Sequence, residues 1–99
     1  MNAIHVNDCD NVGTALKILN KSDRALGVTI KEQIPKGHKF ATKDILKGQP
    51  IIKYGAHIGV ANRNIKSGEW VHIHNIDGER GRGDLDTTTR LIEQNGIRN

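Results

Sequence analysis

Glu69-Trp70-Val71-His72-Ile73-His74-Asn75 concentrates the residue types best able to do chemistry in this chain. Read as a β-strand, the segment puts Trp70, His72 and His74 on one face and Val71 and Ile73 on the other. Val71 and Ile73 suit a core. Imidazoles two residues apart on a strand lie about 6.5–7 Å apart along the chain and can converge on one metal ion. Two ligands make half a metal site, so further donors would come from His38, His57, Asp44 or another chain. The alternative chemistry needs no metal: both rings hydrogen-bond the oxygens of an anionic substrate, with Trp70 as an apolar wall.

Two further clusters carry polar side chains near flexible backbone. Gly37-His38-Lys39 places an imidazole and an ammonium just after a turn-prone glycine. Lys53-Tyr54-Gly55-Ala56-His57 puts Lys53 and His57 on one face if a single strand runs through it. A lysine beside a histidine can clamp a carboxylate or move a proton. Tyr54 would then face the other way and pack. The glycines at 81 and 83 lack the strand and helix that would make them a phosphate loop.

These residues need elements to hold them. Asp8, Asp10 or Asn11 can cap a helix, and Val12, Ala15, Leu16 and Leu19 follow at helical spacing. The pattern predicts a short N-terminal helix ending near Asn20-Lys21-Ser22-Asp23. Val28 and Ile30 alternate with polar residues, as in a strand. Then Ile34-Pro35-Lys36-Gly37, Ile45-Leu46-Lys47-Gly48 and Ile65-Lys66-Ser67-Gly68 repeat the form Ile-x-x-Gly, each before a short apolar segment. The repeat reads as tight turns leading into short strands, hence a compact and mostly β domain. From Asp77 to Asp84 glycine alternates with charge and no apolar residue occurs, which reads as an extended arm.

Composition bounds the partners. The chain has 99 residues, 35% of them hydrophobic, with one Phe, one Trp and one Tyr. That suits one domain with an aliphatic core. A single cysteine, Cys9, excludes an intramolecular disulfide. No apolar run approaches a membrane span and no signal pattern opens the chain, so a cytoplasmic protein is expected. The net charge of +4 is spread out rather than blocked, and aromatic residues are few. This argues against nucleic-acid binding.

Together, Gly37-His38-Lys39-x-Ala41, Ile52-Lys53-Tyr54-Gly55-x-x-Ile58-Gly59-x-Ala61 and Gly68-x-x-Val71-His72-x-His74-Asn75 resemble the SAF domain of the altronate/galactarate dehydratase family. The resemblance runs from about Val6 to Gly83. It implies a β-clip of short strands over residues 1–76, with the N-terminal helix and a polar C-terminal arm over 77–99 that meets a partner or stays disordered. It implies the small subunit of a heteromeric sugar-acid dehydratase, a hydro-lyase dependent on a large catalytic subunit. A divalent metal, iron(II) or manganese(II), is implied as well, with that subunit as a candidate main holder, and a homo-oligomer is compatible. Within this reading the catalytic candidates are His72, His74, His38 and Lys53. The substrate-binding candidates are Lys39, His57, Trp70 and Asn75, and the metal-ligand candidates are His72 and His74. Two alternatives stay open: the small subunit of a sulfolactate sulfo-lyase, and a non-catalytic carbohydrate-binding or scaffold module.

Overall fold

The computed structural model describes residues 1–78, and among them regular structure is entirely β. The strands are β1 (Ala3–Ile4), β2 (Val12–Ala15), β3 (Arg24–Ala25), β4 (Val28–Thr29), β5 (Lys39–Ala41), β6 (Pro50–Lys53), β7 (Ala56–Ala61), β8 (Trp70–Val71) and β9 (Ile76–Asp77). They form a four-stranded sheet in the order β1-β2-β5-β8, a three-stranded sheet β6-β7-β9, and the β3-β4 hairpin. Each strand pairing is antiparallel.

The expected N-terminal helix does not exist. Val12, Ala15 and Leu19 are buried, but from an extended chain: Val12–Ala15 is β2, and Leu19 bridges Ile34. Leu16 and Ile18 stay exposed. Val12, Gly13 and Thr14 are poor helix formers, and β2 gains partners on both sides, β1 and β5. Asp10 caps no helix either. Its carboxylate accepts from the backbone N–H groups of Val6, Asn7, Tyr54 and Gly55 at 3.3, 3.2, 3.0 and 2.8 Å. The same acceptor capacity that suits a cap ties the N-terminal loop to a distant turn. Of the polar arm expected from Asp77, Asp77 itself pairs with Val60 in the sheet, and the stretch from 79 onward lies outside the described residues.

Pleating divides the core. On β5, Phe40 points to one face of the four-stranded sheet and Lys39 and Ala41 to the other. Phe40 packs with Ala3, Ala15, Leu19, Ala25, Ile30 and Ile34, and Trp70 joins this group from β8. Ala41 packs with Val12, Ile45, Ile51, Ala61, Ile65 and Val71. Full burial of Phe40 is worth about 2–3 kcal/mol on transfer grounds.

The Ile-x-x-Gly segments are indeed turns, and there is a fourth copy. In each, the residue before the next strand or bridge closes an i to i+3 backbone bond: Asp23 to Asn20, His38 to Pro35, Gln49 to Leu46 and Glu69 to Lys66, at 2.9–3.1 Å. The residue ahead of it has positive φ, being Gly37, Gly48 and Gly68 in three copies and Ser22 in the other. The apolar residues opening the turns pair as Leu19 with Ile34 and Ile45 with Ile65. Serine in place of glycine is what hides the Leu19 copy in the sequence.

Candidate functional site

β8 stops at Val71, short of the strand expected through His74. The cause is Asn75. Its side-chain oxygen accepts from the His72 N–H at 2.9 Å and its amide donates to the Trp70 carbonyl at 2.7 Å. These bonds curl residues 72–75 into a turn and remove the N–H that would have continued the ladder. Val71 is fully buried as expected, whereas Ile73 is 80% exposed rather than in the core. Asn75 itself is buried, its amide engaged in holding the turn.

The turn nevertheless brings the predicted rings together, and recruits a third imidazole. His72 stacks on Trp70 with centroids 5.1 Å apart and planes inclined by 7°. His74 leans on the same indole at 5.3 Å. His38 lies 4.9 Å from His72 and 5.6 Å from Trp70. The Trp70 indole N–H donates to His38 Nδ1 at 3.2 Å. In the neutral ring this leaves the His38 proton on Nε2, available to a ligand.

The turn repeat explains how His38 becomes available. In three copies the last turn residue folds its side chain back onto the first N–H: Asp23 to Asn20, Gln49 to Leu46 and Glu69 to Lys66, each at 2.8 Å. In the second copy the first residue is Pro35, which has no N–H. His38 at the last position has no such donor to satisfy and turns to Trp70 instead. Sequence reasoning passed over Pro35, and its signal was an imino acid in one copy of a repeat.

The surroundings are cationic. Lys39 is half-buried on β5, opposite Thr14 and Val71. Burial lowers its pKa from the ordinary lysine value, and the Lys53 ammonium lowers it further. Burial likewise pushes the His72 pKa down, helped by His38, Lys39 and His74. An acid is close: Glu32 accepts from the Trp70 backbone N–H at 3.1 Å.

Other expectations are revised. The chain does not run straight through Lys53 to His57. β6 ends at Lys53, and Tyr54 and Gly55, with φ of 53° and 78°, form a two-residue hairpin turn. His57 pairs with Ile52 and Lys53 with Ala56, so His57 lies on the opposite face of the hairpin from Lys53. Tyr54 is 48% exposed rather than packed. Asp44 accepts from the Ser67 N–H at 2.9 Å, a structural bond between two turns. The His38 and His72 rings meet in a tilted contact, and His74 joins them across Trp70. No group of three or more His, Cys, Asp or Glu among the described residues is arranged to hold a metal ion.

Residues 1–79 match the family model described as the altronate/galactarate dehydratase SAF domain. The chain belongs to that family. It is 36% identical over 100 residues to an altronate dehydratase of Bacillus subtilis, covering 97% of this chain and 20% of that protein. It is 40% identical over 79 residues to an altronate dehydratase of Escherichia coli, covering 76% of this chain and 16% of the relative. A (2R)-sulfolactate sulfo-lyase subunit alpha of Chromohalobacter salexigens is 41% identical over 58 residues, 59% of this chain and 62% of that subunit. The chain thus spans about a fifth or less of the two altronate dehydratases. The SAF family is a lyase-associated one. In this SAF domain the matched segment contains the whole ring cluster, Lys39 and Lys53. No helix among the described residues is long and apolar enough to cross a membrane.

Proposed function

We propose that this SAF domain forms one edge of the substrate site of a sugar-acid lyase of the altronate/galactarate type, working with a large catalytic subunit. The observation that carries the reading is the meeting of His38, His72 and His74 around Trp70, with Lys39 acting electrostatically on His72 and Lys53 on Lys39. Such a surface suits a carboxylate on a small polyhydroxy acid. In this reading His38 Nε2–H donates to a carboxylate oxygen, the indole lines the sugar backbone, and Lys39, from the other face of the sheet, and Lys53 add positive potential.

Elimination of water requires removal of the proton α to the carboxylate, stabilisation of the enolate charge, and an acid for the departing hydroxyl. His72, held towards its neutral form, is suited to accept a proton. Lys39 and Lys53 add positive potential that favours the developing negative charge. The reading assigns the exposed His74 to the leaving group. No cluster of three or more metal-ligating side chains occurs among the described residues, and the reading assigns any iron(II) or manganese(II) to the large subunit.

A second reading, in which sulfite leaves from sulfolactate, is favoured by the 41% identity to a sulfo-lyase subunit. The cationic edge suits either anion. The test is co-expression with a dehydratase-type large subunit and assay on altronate, galactarate and sulfolactate. His72→Ala and His74→Ala are expected to lower turnover of the complex by roughly 10²–10⁴-fold with the fold intact by circular dichroism. Full activity in the double variant would remove the catalytic assignment and leave an auxiliary binding domain.

A further inference from the structure

Trp70 is held more firmly than an apolar wall requires. Its backbone N–H donates to Glu32 at 3.1 Å, and its carbonyl accepts from the Asn75 amide at 2.7 Å. It pairs with Phe40 across the sheet, and its ring packs on the first core cluster. The indole N–H is thereby aimed in one direction, and it meets His38 Nδ1 at 3.2 Å. His38 is secured at its own backbone. Its N–H donates to the Pro35 carbonyl at 3.1 Å, and its carbonyl accepts from Ala15 at 2.9 Å. The imidazole is half-buried, with the Trp70 and His72 rings 5.6 and 4.9 Å away.

An indole nitrogen only donates, so the His38 nitrogen that receives it carries no proton. Neutral His38 then has its one lone pair engaged and its one N–H, on Nε2, left over. Such a ring offers a donor and no acceptor. It can hold a carboxylate oxygen, but it has no lone pair with which to take a proton from carbon. The competing partner for Nδ1 would be the N–H that opens its own turn. Asp23, Gln49 and Glu69 take that N–H in the other three copies, each at 2.8 Å. Pro35 has none to offer.

We infer that His38 serves the site as a fixed donor and never as the base, and that Trp70 and Pro35 are the residues that position it. The indole N–H occupies Nδ1, and the imino acid removes the backbone donor that would draw the ring away. The inference rests on the sugar-acid reading above. It adds to that reading a restriction on His38 and two residues that act through it.

The experiment compares His38→Gln, His38→Leu and Pro35→Ala with the wild-type full chain. Nitrogen-15 NMR of the His38 ring above the ordinary imidazole range should show the proton on Nε2; a proton on Nδ1 overturns the inference. The chain has a single tryptophan, so one indole N–H resonance reports the bond to His38. That resonance should shift in His38→Leu and shift the same way in Pro35→Ala, as the restored backbone N–H competes for Nδ1. An indole resonance unmoved in Pro35→Ala overturns the part assigned to Pro35, and one unmoved in His38→Leu overturns the part assigned to Trp70. Glutamine already occupies this turn position as Gln49 and offers one acceptor and one donor group. Calorimetric binding of galactarate should therefore stay within about threefold of wild type in His38→Gln and weaken roughly ten- to hundredfold in His38→Leu. Equal losses in the two variants overturn the donor role. Absence of galactarate binding to wild type counts against the sugar-acid reading, and the two NMR readouts then decide how His38 is held.

Discussion

His72 shows how a side chain acquires chemistry from its neighbours. A strand would have left it on a face beside His74. The Asn75 turn stacks it on Trp70 and sets His38 against it. Burial, then His38, Lys39 and His74, disfavour the imidazolium and lower its pKa. The unfolded chain therefore binds a proton on this residue more readily than the folded one. The corresponding stabilisation is complete above the ordinary imidazole range and is lost as pH falls through that range towards the lower folded value. In an NMR titration His72 is expected below the ordinary imidazole midpoint, and bound galactarate should raise it by adding negative charge. A midpoint at or above the ordinary value would contradict a cationic setting.

At the scale of elements, the four turns are one device used four times with different side chains. Three use the last side chain to close the turn, and the fourth, relieved of that duty by Pro35, points His38 into the ring cluster. The glycines are not equivalent. Gly48 has φ 91° but open space where a Cβ would go, whereas at Gly68, with φ 90°, a Cβ would collide with the Thr29 carbonyl. Gly48→Ala is thus expected to cost about 1–2 kcal/mol from backbone conformation alone. Gly68→Ala should cost more, because backbone must also move. Urea unfolding of the two variants checks the order, and equal losses would show that the Thr29 contact carries no weight.

For the molecule as a whole, Asp10 joins the N-terminal loop to the hairpin that carries Lys53 and Tyr54. Desolvation alone would raise the pKa of this buried carboxyl, but bonds from Gly55, Asn7, Val6 and Tyr54 outweigh it and the net shift is downward. Such a group adds stability above the ordinary carboxylate range and loses it as pH falls through the folded value. Asp10→Asn retains one acceptor oxygen for four donors and cannot ionise. Its thermal midpoint should lie below wild type at neutral pH, with the difference closing in acid. A constant difference across pH would mean that the charge on Asp10 is not what secures the two loops.

The residue types alone determined much: the apolar identity of Val12, Ala15 and Leu19, the glycine turns, and the three motifs that mark the SAF family. They also brought His38, His72, His74, Trp70, Lys39 and Lys53 forward as candidates. Tertiary structure decided the rest. Apolar residues at 12, 15 and 19 are compatible with a helix face, and only pairing with β5, some 25 residues away, makes the segment extended. The stop at Val71 depends on an Asn75 side chain whose competition with the ladder is invisible in a two-residue alternation. Lys53 and His57 separate because Tyr54 accepts a backbone conformation that its own preferences oppose, held there by Asp10. In each case a local preference was weak, and a hydrogen bond or strand partner distant in sequence outweighed it.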